Sequence, residues 1–269
     1  MGNEIVSIHA GWLIDGGGAA AQSGIQLSLK DGIIRSVRKI PPNVADIAGS
    51  DIPVLDFSDC TLLPGLIDCH VHLAMSPGIM QEPSAGRAFE GYHGARRRIL
   101  KHLHRLLVRG ILAVRDGGDR LGSVLRYKTG PDGKDLPVHV CAAGKALHRP
   151  GRYGRLIGTA LPGEQTLAEA ILQENKGIDH IKIVNSGLNS LTEYAEVTEP
   201  QFDSAELKSA IRAARQRGFK TMVHANGKLP VKIAVDAGCD SIEHGFFMGK
   251  NICIGWRKRE PPGCRPLSP

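Results

Sequence analysis

The sequence predicts an α/β fold: an incomplete (β/α) barrel of TIM type, comprising strands 1–6, preceded by part of a β-sandwich. Three observations predict it. Residues 4–57 read as short strands with turn residues between them, strands and helices alternate from Thr61 onward, and imidazoles recur at the ends of successive strands. Strands separated by helices imply parallel pairing. No Gly-rich phosphate loop follows the first of those strands, which favours a barrel over a doubly wound sheet.

Taken in order, the first strands are Ile5–His9, Gly11–Ile14, Ile25–Lys30 and Gly32–Arg38, with turns at Asp15-Gly16-Gly17-Gly18 and Asp31-Gly32. The alternation Ile25-Gln26-Leu27-Ser28-Leu29-Lys30 leaves one face buried and one wet, so residues 1–60 form a small β domain that needs a second layer. Residues 61–250 make the barrel segment. Its strands are Leu66–Leu73, Ile111–Arg115, Val138–Ala143, His180–Val184, Thr221–Ala225 and Ser241–Phe246. Its helices are Gly86–Val108, Leu167–Asn175, Asp203–Arg217 and Pro230–Ala237. Asp203 with Glu206 three residues on has the form of a capping box, and Gly218 closes that helix. Residues 251–269 show neither helical nor strand periodicity and are expected to be an irregular tail.

The chemistry gathers where a barrel places it, at the C-terminal ends of strands. Leu66-Ile67-Asp68-Cys69-His70-Val71-His72 puts two imidazoles at i and i+2, on one face of a strand. Neutral imidazoles are good ligands for zinc and similar metals. His224 closes the fifth strand and His244 lies near the end of the sixth, while Lys182 sits between Ile181 and Ile183 in the fourth. An unpaired ammonium buried there is costly. Reaction with carbon dioxide would turn it into a carbamate able to bridge two metals, whereas a lysine turned outward or paired with an acid is the simpler reading when Lys182 is considered alone.

Composition excludes several classes. The 42% hydrophobic content of 269 residues can supply a core, and aromatic content is low at 4%. No apolar run approaches the roughly 18 residues that span a membrane, and the start lacks the basic-then-apolar form of a signal peptide, so a cytoplasmic protein with no membrane partner is expected. The six cysteines show no CxxC pairing and read as reduced core residues. Of the net charge of +7, the last nineteen residues carry +3, and the rest is spread over helices with few stacking aromatics, which argues against nucleic acid as a partner.

With these residues assembled, the chain resembles the metal-dependent amidohydrolase superfamily, in particular its branch of imidazolonepropionases and Xaa-Pro or Xaa-Arg dipeptidases. The likeness rests on Pro64-Gly65-Leu66-Ile67-Asp68-Cys69-His70-Val71-His72, Ile181-Lys182-Ile183, Val223-His224-Ala225 and Ile242-Glu243-His244-Gly245, and covers about residues 4–250. It implies that His70 and His72 hold the more buried metal, that a carboxylated Lys182 bridges two divalent ions, two Zn2+ by expectation, and that His224 and His244 hold the second. It also implies hydrolysis of a C–N bond through a metal-activated water. The alternatives are a mononuclear deaminase of the same superfamily and an inactive truncated fragment.

The family's barrel has eight strands, and its eighth carries an aspartate that shuttles the proton; here the regular pattern stops after Phe247-Met248-Gly249. Codons for Ile252 to Ser268 can be chosen so that another frame reads as an amphipathic helix, a glycine and a strand. The expectation is therefore a frameshift near Lys250, and a truncated chain of poor stability. For the partner, a small-molecule substrate, the contacts expected from loops are His148, Arg149, Arg152, Tyr153 and Asn226, with an arginine clamping a carboxylate. Assembly into a homo-oligomer stays open.

Overall fold

The computed structural model describes residues 5–40, 52–75, 91–174, 177–190 and 192–257, which fall into two compact units divided at Gly65/Leu66. The first unit is a four-stranded sheet of β1 (Ile5–Leu13), β2 (Gln22–Lys30), β3 (Ile33–Lys39) and β4 (Val54–Leu62), in the order β3-β2-β1-β4. β1 runs antiparallel to β2, with Ile8 opposite Leu27, and parallel to β4. Leu13, Ile25 and Leu27 form its small core, as the alternation in β2 requires.

Two sequence expectations change here. β1 is one strand and not two, because Gly11 continues it past a bulge in the β1/β4 register where the Ser58 carbonyl would lie 2.2 Å from a Cβ. β4 has no counterpart among the expected strands, and nearly all of it is exposed, which removes the burial alternation that would have revealed it. The described residues form a single layer of the expected sandwich.

The second unit is parallel α/β. Its strands are β5 (Leu66–Val71), β6 (Ile111–Asp116), β7 (His139–Ala142), β8 (Ala146–His148), β9 (Gly158–Ala160), β10 (His180–Val184), β11 (Lys220–Ala225) and β12 (Ser241–His244). They make two sheets, β5-β6-β7 and β12-β11-β10-β8-β9. β7 pairs with β6 and β8 with β10, so the two are halves of one bent strand position. Six parallel positions thus follow one another in chain order, as the alternation of strands and helices predicts. The extra strand β9 has only three residues, and Gly158 lets it approach β8, where a Cβ would meet the Ala146 carbonyl at 1.7 Å.

The helices are α1 (Gly91–Leu107), α2 (Ser123–Thr129), α3 (Leu167–Leu172), α4 (Ser204–Gln216), α5 (Lys228–Ala237) and α6 (Lys250–Arg257). Ile181, Ile183, Val223 and Ala225 turn one sheet face towards Leu167, Ile171, Leu207, Ile211 and Val231, while Val114 and Val140 pack on Ile99 and Leu103. Those alternate positions leave His180, Lys182, Met222 and His224 on the opposite face. Asp203 caps α4 by accepting from Glu206 N at 2.9 Å, but the full capping box stands at Thr166 and Glu169 on α3. α6 replaces the start of the expected irregular tail: Ile252 and Trp256, four apart, pack on the main core. Residues 258–269 and the expected helix start at 86–90 lie outside the described residues.

Candidate metal and active site

β5 delivers the first imidazoles. His70 lies on the strand and His72 one residue beyond it, since pairing ends at Val71. The Nδ1 of His72 lies 2.8 Å from the Gly118 carbonyl, which can only accept, so Nδ1 carries the proton and Nε2 keeps its lone pair for a ligand. Gly117 provides the space: a Cβ there would stand 2.8 Å from His72 Cε1 and 3.5 Å from His70 Cδ2.

The other ligand candidates come from β10 to β12. Lys182 pairs in register with Met222, and His224 stands two residues further along the same face. His224 Nε2 meets the Gly187 carbonyl at 3.1 Å, which leaves its Nδ1. His244 is in register with Ala225, whose side chain lies in the helix-side core, so regular alternation would turn this imidazole away from the site. Instead His244 adopts φ 69°. Such a conformation costs a non-glycine residue roughly 1–3 kcal/mol, and it brings the side chain back to the interior face. The rings then form a chain: His72 to His70 at 5.3 Å between centroids, His70 to His244 at 4.9 Å, and His244 to His224 at 4.8 Å.

Burial controls the charge in this cluster. It pushes His72 down to about 4 against the opposing Gly118 bond, His224 to about 3, and His244 to about 4 with help from the nearby His70 and Lys182 charges. Lys182 is 1% exposed, and burial lowers it to about 8 despite the attraction of Glu243. Its Nζ has no hydrogen-bond partner among the described residues.

The donor set fits a divalent metal: His72, His224 and His244 neutral at pH 7, a pocket kept open by Gly117, and beside them an amine with no hydrogen-bond partner among the described residues. Among the described residues no three His, Cys, Asp or Glu side chains gather on one point.

Three charged residues that the sequence did not single out stand in the same place. Burial raises Asp116 to about 7 although its carboxylate accepts from Leu73 N and Gly118 N, both at 2.8 Å, and so pins the turn after β5 to the turn after β6. Burial opposes ionisation of Glu243, yet the His70 bond and the charges of Lys182 and Arg115 hold it down to about 2. Glu243 lies 3.1 Å from His70 Nδ1 and accepts from Arg115 Nη2 at 2.7 Å. The available signal was a charged residue at an interior strand position, Val114-Arg115-Asp116 and Ile242-Glu243-His244.

The expected substrate contacts divide. Tyr153 reaches the cluster, its ring 5.3 Å from that of His224. Asn226 is buried with Oδ1 accepting from Phe246 N. His148 is buried on β8 and donates from Nδ1 to the Arg149 carbonyl. Arg149 is engaged by Glu206 at 2.5 Å, and Arg152 donates to the Glu199 carbonyl at 2.7 Å.

The amidohydrolase family matches residues 61–252 of the chain. Ochratoxinase of Aspergillus niger is 25% identical over 281 residues, covering 93% of this chain and 56% of that protein. An uncharacterized protein of Mycobacterium tuberculosis is 26% identical over 234 residues, covering 86% of this chain and 54% of its own length. Among solved structures, a Xaa-Pro dipeptidase with methionine bound in its active site superposes with a TM-score of 0.72 at 28% identity, covering 94% of this chain and 64% of that one. The chain therefore spans little more than half the length of the curated relatives it matches.

Proposed function

The chain belongs to the amidohydrolase family, and on that premise we propose that it hydrolyses a C–N bond in an amide, cyclic amide or dipeptide-like small molecule with the help of divalent metal. The observation that carries this reading is Lys182, an amine with no hydrogen-bond partner among the described residues, buried beside the His72 and His224 imidazoles, which are neutral at pH 7. His70 and His72 would hold one ion, His224 and His244 the other, and Lys182 as its carbamate would bridge them, with Zn2+ suited to the donors. When bound, such ions supply Lewis-acid activation of water and of the scissile carbonyl. Six parallel strand positions with these groups at their C-terminal ends support reading the unit as a section of a (β/α) barrel.

The chain's own residues prepare the site. The Gly118 carbonyl and the Gly187 carbonyl orient His72 and His224 from behind. Burial raises the Tyr153 hydroxyl, which keeps it a hydrogen-bond donor near His224. Phe246 stacks on His244 at 6.3 Å between centroids, and Phe247 lies 6.3 Å from Phe246 and 5.3 Å from Tyr194. That aromatic ledge suits a substrate with a flat or apolar group beside the scissile bond.

The test is metal content followed by turnover. Purified chain, loaded with zinc in bicarbonate buffer, is assayed against N-acyl amino acids and Xaa-Pro dipeptides for free amine. Two zinc ions per chain and amine release that a chelator abolishes are expected. One ion per chain, with release of ammonia from an amine-bearing ring, would replace this reading by a mononuclear deaminase. A chain that binds no zinc and turns over nothing would refute it and leave an inactive fragment.

A further inference from the structure

We propose that Glu243 is a positioning residue which, braced by Arg115, holds the His70 imidazole with Nδ1 protonated and Nε2 presented to the site. Its carboxylate is buried at 8% side-chain exposure, yet it is fully engaged: Oε2 lies 3.1 Å from His70 Nδ1, and Oε1 accepts from Arg115 Nη2 at 2.7 Å and from Ser241 Oγ at 3.0 Å. A carboxylate can only accept, so the hydrogen between the two side chains belongs to Nδ1.

The brace is geometric. Arg115 Nε donates at 2.9 Å to the carbonyl of Cys69, the residue before His70. One guanidinium fork therefore ties the backbone that carries the imidazole and the carboxylate that orients it. A lysine could not make both bonds in fixed directions. The left-handed turn at His244 is what allows the arrangement, because it lets Glu243 and His244, neighbours in sequence, both face the interior.

His72 reaches the same tautomer through a backbone carbonyl, so within this histidine pair only His70 depends on a replaceable side chain. Residues behind a metal-ligating histidine change metal affinity by roughly 10–100-fold when removed. The inference rests on the proposed function only for what Nε2 holds; the tautomer belongs to the metal-free chain.

The experiment uses the full chain, metal-free and 15N-labelled at histidine, at pH 8. Long-range 1H–15N spectra read the tautomer of His70, assigned by its loss in His70→Asn. The wild type is expected as the Nδ1–H form, with Glu243→Gln and Glu243→Ala moving towards Nε2–H and Arg115→Lys falling between. Zinc affinity, read by competition with a chromophoric chelator, should fall about 10–100-fold in Glu243→Ala. A wild-type His70 protonated at Nε2 overturns the proposal even if every Glu243 variant fails to fold. An unchanged tautomer in folded Glu243→Ala overturns it as well. Should wild type bind no zinc while the tautomer shifts as stated, the metal reading falls and the positioning role stands.

Discussion

Lys182→Met should stabilise the metal-free chain, and the gain should depend on pH in a direction that the structure sets. The ammonium is buried, no described residue accepts a hydrogen bond from Nζ, and burial lowers its pKa from 10.5 to about 8. A depression of that size corresponds to about 3 kcal/mol of penalty on the charged form. The net shift already contains the attraction of Glu243. Methionine has similar volume and no charge, so little packing is lost. The sign follows from proton counts: between pH 8 and 10.5 the unfolded chain holds the lysine proton and the folded chain has released it, so wild-type stability rises with pH across that window. Below pH 8 the full penalty applies.

Urea unfolding at pH 7 without bicarbonate should therefore show Lys182→Met with a higher midpoint. With a slope of roughly 2 kcal/mol/M, about 3 kcal/mol is a shift of about 1.5 M. The shift should shrink steadily towards pH 10.5. A methionine variant less stable than wild type at pH 7, or a gain that ignores pH, would refute the claim that Lys182 is an orphaned buried cation. The same variant should lose zinc, which separates the stability of the fold from the chemistry of the site.

Acid should destabilise the metal-free chain through its imidazoles. His72, His180 and His244 are lowered to about 4, so the unfolded state takes up protons first and stability falls as pH drops from 6.5 towards 4; urea midpoints at pH 7 and pH 5 check this, and equal midpoints count against it. Gly117→Ala should cost about tenfold in zinc affinity with little change in melting temperature, because its methyl group meets the edge of His72 and not the core; calorimetry beside chelator competition separates the two effects. Arg149→Met should lower stability by less than about 1 kcal/mol through loss of the partly exposed Glu206 pair, and should leave KM for carboxylate-bearing substrates unchanged; a tenfold rise in KM would identify Arg149 as a substrate clamp.

What a strand carries at its end was legible in the sequence, and what stands behind it was not. His70, His72, Lys182 and His224 follow the period of two, and the structure places them within electrostatic reach of one another. Glu243 and Arg115 are 128 residues apart, so their pairing is created by the order of parallel strands and by no local pattern. The loop arginines show the same limit from the other side. Arg149 reads as a free cation until the fold brings Glu206, 57 residues on, to its guanidinium. His244 is the sharpest case. A period-two reading places it with its neighbours on paper, yet its register with Ala225 points it outward, and only the backbone at φ 69° returns it to the imidazole cluster. That conformation strains a residue that carries a Cβ and is free for glycine. His244→Gly should therefore keep or slightly raise stability while removing one imidazole from the cluster. If the strain is there for the site, stability and zinc binding must move in opposite directions at this one position.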